Sequence, residues 1–386
     1  MPGFARASGL AVAVGAATVL PGFLVGALAL QIRGDLDVSV GAVAIGVTVF
    51  FLAGALGAGP GGRLAERMGA LPALRTAVVV TGACLLAAAV LATSLPVLFA
   101  FLFVAGVANA VAQPAINLFM AEQVALDRQG LAFGIKQSAI PAAIVVSGLA
   151  LPALALPLGW RATFAICGGL VLTVALVARR GGTSFRVPED RDEPPPRASR
   201  QLVFLGVGAA LAACGANALG TYLVASAVDT GIAEGTAGLL AALGSGGSLA
   251  VRMALGARAD RRRDYGYAMV AWLLIVGAVG YVLMAIDAVI PFVLGSLVAF
   301  TLGWGWPGLF NLAVVEHHRE APAAATGITQ SGIYVGAAAG PAAFGLLSSP
   351  LGYHGAWATV AGLSLAAALV MTVAGRADVA ASTSQS

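Results

Sequence analysis

Long apolar runs alternate with short polar interruptions along the whole chain. Each run is about 20 residues long, which is the length that an α-helix needs to cross the hydrocarbon core of a bilayer. The runs are continuous rather than alternating in polarity, so they predict helices and exclude a membrane β-barrel. We number the twelve predicted spans in chain order: 8–30, 41–60, 72–92, 97–118, 131–155, 160–178, 202–225, 235–255, 267–286, 290–312, 324–348 and 355–374.

The first run has a second interpretation as a cleaved signal peptide. Arg6 precedes it, and Ala27-Leu28-Ala29 resembles a cleavage site. The run is far longer than the apolar core of a signal peptide, which has about 7 to 15 residues. We therefore predict a retained span.

Composition and charge agree with a membrane protein. Apolar residues make up 59% of the chain and charged residues 10%, which is outside the range of soluble domains. Only Arg33 and Arg161 fall on the predicted outer side, and the other basic residues lie in or near the inner loops. Because basic residues stay in the cytoplasm, both termini are predicted there. The richness in Ala and Arg, with a single lysine, indicates a bacterial gene, so the predicted location is the bacterial inner membrane. The net charge of +4 is spread over these loops, so we expect no nucleic-acid partner.

The residues that usually build enzyme or metal sites are few. Cys84, Cys167 and Cys214 lie inside apolar runs and are expected as small packing residues, without disulfides. The three histidines lie outside the spans, and the chain has no H-E-x-x-H or G-x-S-x-G motif. We therefore expect no catalytic residue, no metal site and no cofactor.

The chain divides into two related halves. A proline-rich segment of mixed charge at 179–200 predicts a flexible cytoplasmic linker. An offset of 194 residues then superposes rare polar residues and glycines of one half on those of the other. The superposed pairs are Asp35 with Asp229, Gly41 with Gly235, Gly62 with Gly256, Glu66 with Asp260, Asn117 with Asn311 and Glu122 with Glu316.

One residue of slippage later, 134–138 matches 327–331. The prediction is an all-α membrane protein of two pseudo-symmetric six-helix bundles. The bundles occupy 1–178 and 201–376, and 377–386 forms a disordered tail.

The connection between spans 2 and 3 carries a conspicuous motif, Gly-Arg-Leu-Ala-Glu-Arg-Met-Gly at 62–69, with a weaker copy at 256–261. Together with the two halves, this motif resembles the major facilitator superfamily, whose pattern is roughly G-x-L-A-D-R-x-G-R-R. Glu66 departs from it, as do Ala70 and Leu71 at usually basic positions. A weaker likeness at 134–141 and 303–311 points to the bacterial cyanate and nitroimidazole transporter-like members.

The resemblance implies that both loops latch the cytoplasmic side in the outward-facing state. Glycine lets helix ends approach closely, and acids paired with arginines form bonds that break when the halves rock. The alternative is that the arginines only orient the protein in the membrane. The latch and gate candidates are Gly62, Glu66, Arg67, Gly69, Arg252, Gly256, Asp260 and Arg261.

Polar side chains inside the runs mark the candidate solute site, because such groups are costly in lipid and usually face the bundle interior. Lys136, the only lysine of the chain, lies about five residues into span 5, beside Gln137. Its charge suits an anion, or its long stem snorkels to the cytoplasmic surface. Arg252, near the inner end of span 8, is expected as a snorkelling or gate residue.

Amide and aromatic side chains supply the other candidates, since the family resemblance implies that their spans line a central cavity. The repeat favours Gln137 and Gln330 as a symmetric pair. Each candidate could instead be an interhelical hydrogen-bond partner or an interfacial anchor. Asn117 and Asn311 are expected as helix caps or gate contacts. The remaining cavity candidates are Asn109, Gln113, Asn217, Tyr222, Trp304 and Tyr334.

Two absences bear on mechanism. No Asp or Glu is predicted at mid-membrane depth, and the G-x-x-x-G-P pattern of proton-coupled drug exporters is missing from span 5, although 336–341 in span 11 carries it. We therefore expect a secondary-active carrier of a small polar or anionic organic solute, monomeric in the lipid bilayer and working by alternating access. Efflux of hydrophobic compounds and a non-transporting membrane sensor are the alternatives.

Overall fold

Almost every described residue is helical in the computed structural model. The structure describes residues 2–123, 135–178, 199–259, 266–318 and 322–383, so nearly all of the predicted linker lies outside the described residues. The helices are Pro2–Ala27, Ala29–Leu36, Val40–Met68, Ala70–Leu91, Leu95–Gln123, Ala139–Ala150, Leu156–Ala178, Arg200–Asp229, Glu234–Ala259, Tyr267–Met284, Val289–Val298, Pro307–His317 and Pro322–Thr383, with π-helical turns at Leu151–Ala155 and Ala299–Gly303. The predicted all-α fold is confirmed.

Ten helical segments within the described ranges are long and apolar enough to cross a membrane. Two of them, Ala139–Leu176 and Ala325–Gly375, are interrupted by a glycine with non-helical backbone angles. Gly159 has φ 82° and Gly352 has φ 66°. These glycines separate predicted spans 5 and 6, and 11 and 12, so each long segment carries two predicted spans. We keep the span numbers below, and the number of twelve crossings stays a prediction.

Residues with left-handed backbone angles recur at equivalent places in the two halves. Asp37 has φ 51° and Gly231 has φ 94°, and they are separated by the same 194 residues as the polar pairs. Gly159 and Gly352 form a second pair, one residue of slippage later. Only glycine adopts such angles freely, and aspartate is among the few residues that tolerate them. The repeat therefore extends to the turns that join the spans.

One close contact between a glycine and a phenylalanine recurs in both halves, but the two residues have exchanged positions. Gly106 of span 4 packs against the backbone of Phe50 in span 2. In the second half the equivalent positions are Gly244 of span 8 and Phe300 of span 10, and a Cβ on Gly244 would lie 2.8 Å from the Cβ of Phe300. A small residue on one helix accommodates its neighbour in each half, as close helix packing requires.

Spans 7 and 11 approach each other so closely that their backbones touch. The contact is made by small residues spaced four apart, which share one face of a helix. Gly332, Gly336 and Gly340 of span 11 lie against Gly206, Ala210 and Cys214 of span 7. The G-x-x-x-G-P pattern in span 11 is therefore accounted for by helix packing within the second half.

The two halves meet at the end of the bundle that carries the connections between spans 1 and 2, 5 and 6, 7 and 8, and 11 and 12. We call this the distal end, and it is the predicted outer side. A Cβ on Gly26 would lie 2.9 Å from the Cα of Thr221, and one on Gly148 would lie 2.6 Å from the carbonyl oxygen of Gly238. Spans 1 and 7, and spans 5 and 8, are thus in direct contact there.

Span 5 is interrupted near its beginning. Residues 135 and 136 are helical, residues 137 and 138 form a turn, and the next α-helix starts at Ala139, while 131–134 lie outside the described residues. Pro141 explains the interruption, because it has no N–H to give to the carbonyl of residue 137 and its ring crowds the preceding turn. Span 10 is interrupted between Gly303 and Pro307, while Pro114 of span 4 lies inside a continuous helix.

Candidate functional site

Lys136 reaches across to span 4. Its Nζ donates a hydrogen bond of 2.5 Å to Oδ1 of Asn117, and the side chain is half-buried. The amine is therefore held between spans 4 and 5 by a neutral amide, and because Asn117 is itself exposed, the snorkelling alternative stays open beside the anion-binding one. Asn117, expected as a helix cap or gate contact, acts in this structure as the acceptor for the lysine.

Arg252 is buried, with 3% of its surface exposed. The snorkelling interpretation is therefore wrong, because the guanidinium points into the protein. Its Nε and Nη2 donate to the carbonyl oxygen of Trp304 at 3.1 and 2.5 Å, and its Nη1 donates to that of Gln137 at 2.6 Å. Trp304 belongs to the same half as Arg252, and Gln137 belongs to the other half. The arginine thus bridges the two halves, as a gate residue would.

The backbone explains why an arginine can bind at these two points. The carbonyl of Gln137 has no helical donor, because residue 141 is a proline. The carbonyl of Trp304 lies where span 10 is interrupted, just before Pro307. A carbonyl without a partner is costly inside a protein. The guanidinium satisfies both.

Two cationic side chains are anchored at neighbouring residues of span 5. Arg252 binds the carbonyl of Gln137, the residue next to Lys136. Among the residues that the structure describes, the ion pairs are Arg161 with Asp35, and His354 with Asp287 when that histidine is protonated. Both pairs lie at the distal end, so neither Lys136 nor Arg252 has a carboxylate partner among the described residues.

Asn109 and Gln113 of span 4 form a small polar cluster with span 1. Oδ1 of Asn109 accepts hydrogen bonds from Oγ1 of Thr18 and from Nε2 of Gln113, both at 3.2 Å. Asn109 is 2% exposed, so it acts here as an interhelical hydrogen-bond partner. Thr18 was not recognisable from the sequence, because one threonine in a long apolar run carries little signal.

The aromatic candidates are packed against other rings. Trp304 is 4% exposed and contacts Phe23 of span 1, with ring centroids 6.1 Å apart. Tyr222 is 1% exposed and packs against Phe344, with ring centroids 4.6 Å apart. Nδ2 of Asn217 donates to the carbonyl of Ala213 in its own helix. None of these three candidates presents an accessible surface in this conformation.

Gln330 and Tyr334 are half-buried and lie one turn apart on span 11. The pairing of Gln137 with Gln330 holds in sequence but not in local structure. Gln137 lies in a turn, whereas Gln330 lies in continuous helix. The reason is that the position equivalent to Pro141 is occupied by Tyr334, which leaves the helical hydrogen bond to Gln330 available.

The acid and the second arginine of the latch motif at 62–69, Glu66 and Arg67, make no ion pair with another described residue. Both side chains are exposed. A Cβ on Gly62 would meet nothing within 4 Å, while one on the preceding Gly61 would lie 2.8 Å from the carbonyl oxygen of Ala110. Gly69 has φ 81° between spans 2 and 3, an angle that favours glycine.

The second copy of the motif is described only in part. Gly256 also has open space around it. Asp260 and Arg261 lie outside the described residues. The latch role of both loops therefore stays a prediction.

Two serines that the sequence analysis passed over lie beside Arg252 on span 8. Ser245 and Ser248 are each 1% exposed. Oγ of Ser245 donates to the carbonyl of Pro141 at 3.0 Å, and Oγ of Ser248 donates to that of Trp304 at 3.5 Å. The spacing of the three side chains, at i, i+3 and i+7, places them on one helical face and was visible in the sequence.

Comparison with known proteins agrees with this architecture. Residues 9–206, which comprise the first half, the linker and the start of span 7, match the model of the Major Facilitator Superfamily. No curated protein sequence matches the chain, and the likeness to the cyanate and nitroimidazole transporter-like members stays a prediction.

The fold is similar to solved structures of a bacterial homologue of the human lysosomal transporter Spinster. Its inward-facing, unoccupied form is 17% identical with a TM-score of 0.71, over 97% of this chain and 96% of that chain. Its inward-facing, occupied form is 15% identical with a TM-score of 0.73, over 95% of this chain and 96% of that chain. The family match covers more than half of the sequence, and the chain belongs to the Major Facilitator Superfamily, whose members are multi-pass membrane transporters that work by alternating access.

Proposed function

We propose that the protein carries a small organic anion across the bacterial inner membrane. The two six-helix halves, 1–178 and 201–376, rock about a site between them, with both termini in the cytoplasm. The observation that carries the proposal is the convergence of Lys136 and Arg252 on one segment without a carboxylate among the described residues.

The energetics of buried charge favour an anionic cargo. A cation inside a membrane protein is costly and is usually paired with an opposite charge. Among the described residues, the partners of Lys136 and Arg252 are amide and carbonyl oxygens. Hydrogen bonds between an ionised donor and an ionised acceptor are about twice as strong as neutral ones. An anion is therefore the partner that this site lacks.

The aromatic residues give less support to a hydrophobic cargo. Trp304 and Tyr222 would suit efflux of apolar compounds, but their rings pack against Phe23 and Phe344. Lys136 and Gln137 are half-buried polar residues, and a positive charge there favours an anionic cargo over an apolar one. The cationic side chains therefore support an anion carrier more specifically than the packed aromatic rings support efflux of apolar compounds.

The test compares anions with neutral molecules of the same shape. Purified protein is unfolded thermally with succinate or benzenesulfonate, and separately with succinamide or benzenesulfonamide. A ligand that binds only the folded state raises the unfolding midpoint. We expect the anions to raise it and the amides to leave it unchanged.

Two variants of the lysine provide the control. Lys136→Gln keeps a hydrogen-bond donor for Asn117 and removes the charge, so the variant should fold and lose the response to anions. Lys136→Arg keeps the charge and should retain part of it. Equal stabilisation by the amides, or an undiminished anion response in Lys136→Gln, would overturn the proposal.

A further inference from the structure

Span 8 carries a polar stripe of three buried side chains, Ser245, Ser248 and Arg252, which are 1%, 1% and 3% exposed. Together they make five hydrogen bonds, and every acceptor is a backbone carbonyl. Side chains that bond in this way inside a membrane protein fix the helix that carries them against its neighbours.

The acceptors belong to both halves of the molecule. Ser245 and Arg252 each reach across to span 5, at Pro141 and Gln137. The other three bonds, from Ser248 and from two nitrogens of Arg252, remain within the second half at Trp304. One face of span 8 therefore binds both to span 5 of the first half and to span 10 of its own half. Two of its five hydrogen bonds cross the interface between the halves.

Arg252 is attached unequally to its two partners. Two of its nitrogens hold the carbonyl of Trp304 in its own half, and one nitrogen holds Gln137 in the opposite half. When spans 5 and 8 separate, the guanidinium stays with the second half and Nη1 loses its acceptor. A buried guanidinium cannot leave that N–H unpaired without a large cost.

An anion removes this cost because it is a stronger acceptor for a guanidinium than a carbonyl is. We infer that the polar stripe of span 8 is a lock between the halves, and that Arg252 releases span 5 when an anion replaces the carbonyl of Gln137. This inference rests on the proposed anion carrier, since it gives the same cation a second role. An anion that binds Nη1 favours the separated state over the locked one, which is the differential affinity that a ligand-driven change needs.

The two serines offer a matched pair of variants. Ser245→Ala removes a bond that crosses the interface, and Ser248→Ala removes one that does not, from the same helix and at the same burial. Loss of one buried hydrogen bond between the halves should shift the equilibrium toward separation by about fivefold. Ser248→Ala should leave that equilibrium unchanged.

The separation is measured as a distance between spin labels on the full-length protein. The native Cys84, Cys167 and Cys214 are replaced by alanine, and labels are attached to cysteines at Val146 of span 5 and Met253 of span 8, which are 42% and 47% exposed. We expect Ser245→Ala to increase the long-distance population without any ligand. A mixture of succinate and benzenesulfonate should increase it in the otherwise unmodified labelled protein.

The outcomes separate the lock from the carrier. If Ser245→Ala and Ser248→Ala give the same distances, the lock is overturned whatever the cargo is. If the anions raise the unfolding midpoint but leave the distances unchanged, the release by anion is overturned while the anion carrier stands. If the anions change neither quantity, the carrier proposal falls and takes the release with it.

Discussion

Asp35 is a carboxylate whose contacts tie three parts of the first half together at the distal end. Its Oδ2 accepts from Nη2 of Arg161 at 2.9 Å and from Nε1 of Trp160 at 3.1 Å. The same guanidinium donates to the carbonyls of Ala89 and Ala92 at the end of span 3. Asp35 and Arg161 are 44% and 35% exposed, so solvent weakens the attraction between their charges. The hydrogen bonds that they share with Trp160 and the end of span 3 therefore contribute more to stability than the charges do.

Asp35→Asn should therefore lower the stability by about 1 kcal/mol, because the amide accepts less strongly and repels one donor. Asp37→Asn is the control in the same connection. Asp37 is exposed and has φ 51°, which asparagine also tolerates, so its midpoint should not move. Thermal unfolding in detergent measures both, and equal losses in the two variants would refute the role given to Asp35.

At the residue scale, the sequence located the charges but not their partners. Lys136 and Arg252 were found because a cation in an apolar run is rare. Their environment was not predictable, since the groups that hold Arg252 are backbone carbonyls, which every residue has. Pro141 was the one available signal, because a proline exposes the carbonyl four residues before it.

Small residues decide how closely the spans pack. Gly336 of span 11 lies against the backbone of Ala210 in span 7, so any side chain there would push the helices apart. Gly327 lies near the start of the same helix with nothing within 4 Å of a Cβ. The two glycines therefore distinguish a packing role from a simple effect on helix propensity.

Gly336→Ala should destabilise the protein by about 1 to 3 kcal/mol, because overpacking forces the backbones to shift. Gly327→Ala should be neutral or stabilising, since alanine favours a helix over glycine by about 1 kcal/mol. The unfolding midpoints of the two variants check this. A loss in Gly327→Ala as large as that in Gly336→Ala would contradict the close contact of spans 7 and 11.

Element prediction succeeded where hydropathy alone was sufficient and failed at the interruptions. The apolar runs predicted the helices, and left-handed glycines separate the runs that follow each other directly, at Gly159 and Gly352. The interruption of span 5 at residues 137 and 138 depended on a single proline. Hydropathy does not detect such a break, because the residues on both sides remain apolar.

At the scale of the whole molecule, the structure is closed at the distal end. Spans 1 and 7 touch at Gly26 and Thr221, and spans 5 and 8 touch at Gly148 and Gly238. The latch residues Glu66 and Arg67 at the opposite end take part in no ion pair with a described residue.

The most direct test of the anion carrier is flux. Purified protein is reconstituted into liposomes, and uptake of isotope-labelled succinate and benzenesulfonate is compared with uptake by protein-free liposomes. Benzenesulfonate stays ionised at the working pH, so it does not leak through the bilayer as a neutral acid. The account predicts saturable uptake of at least one of the two anions that is lost in Lys136→Gln and kept in Gly327→Ala. Uptake no faster than in protein-free liposomes for both anions, or uptake that Lys136→Gln leaves unchanged, would contradict it.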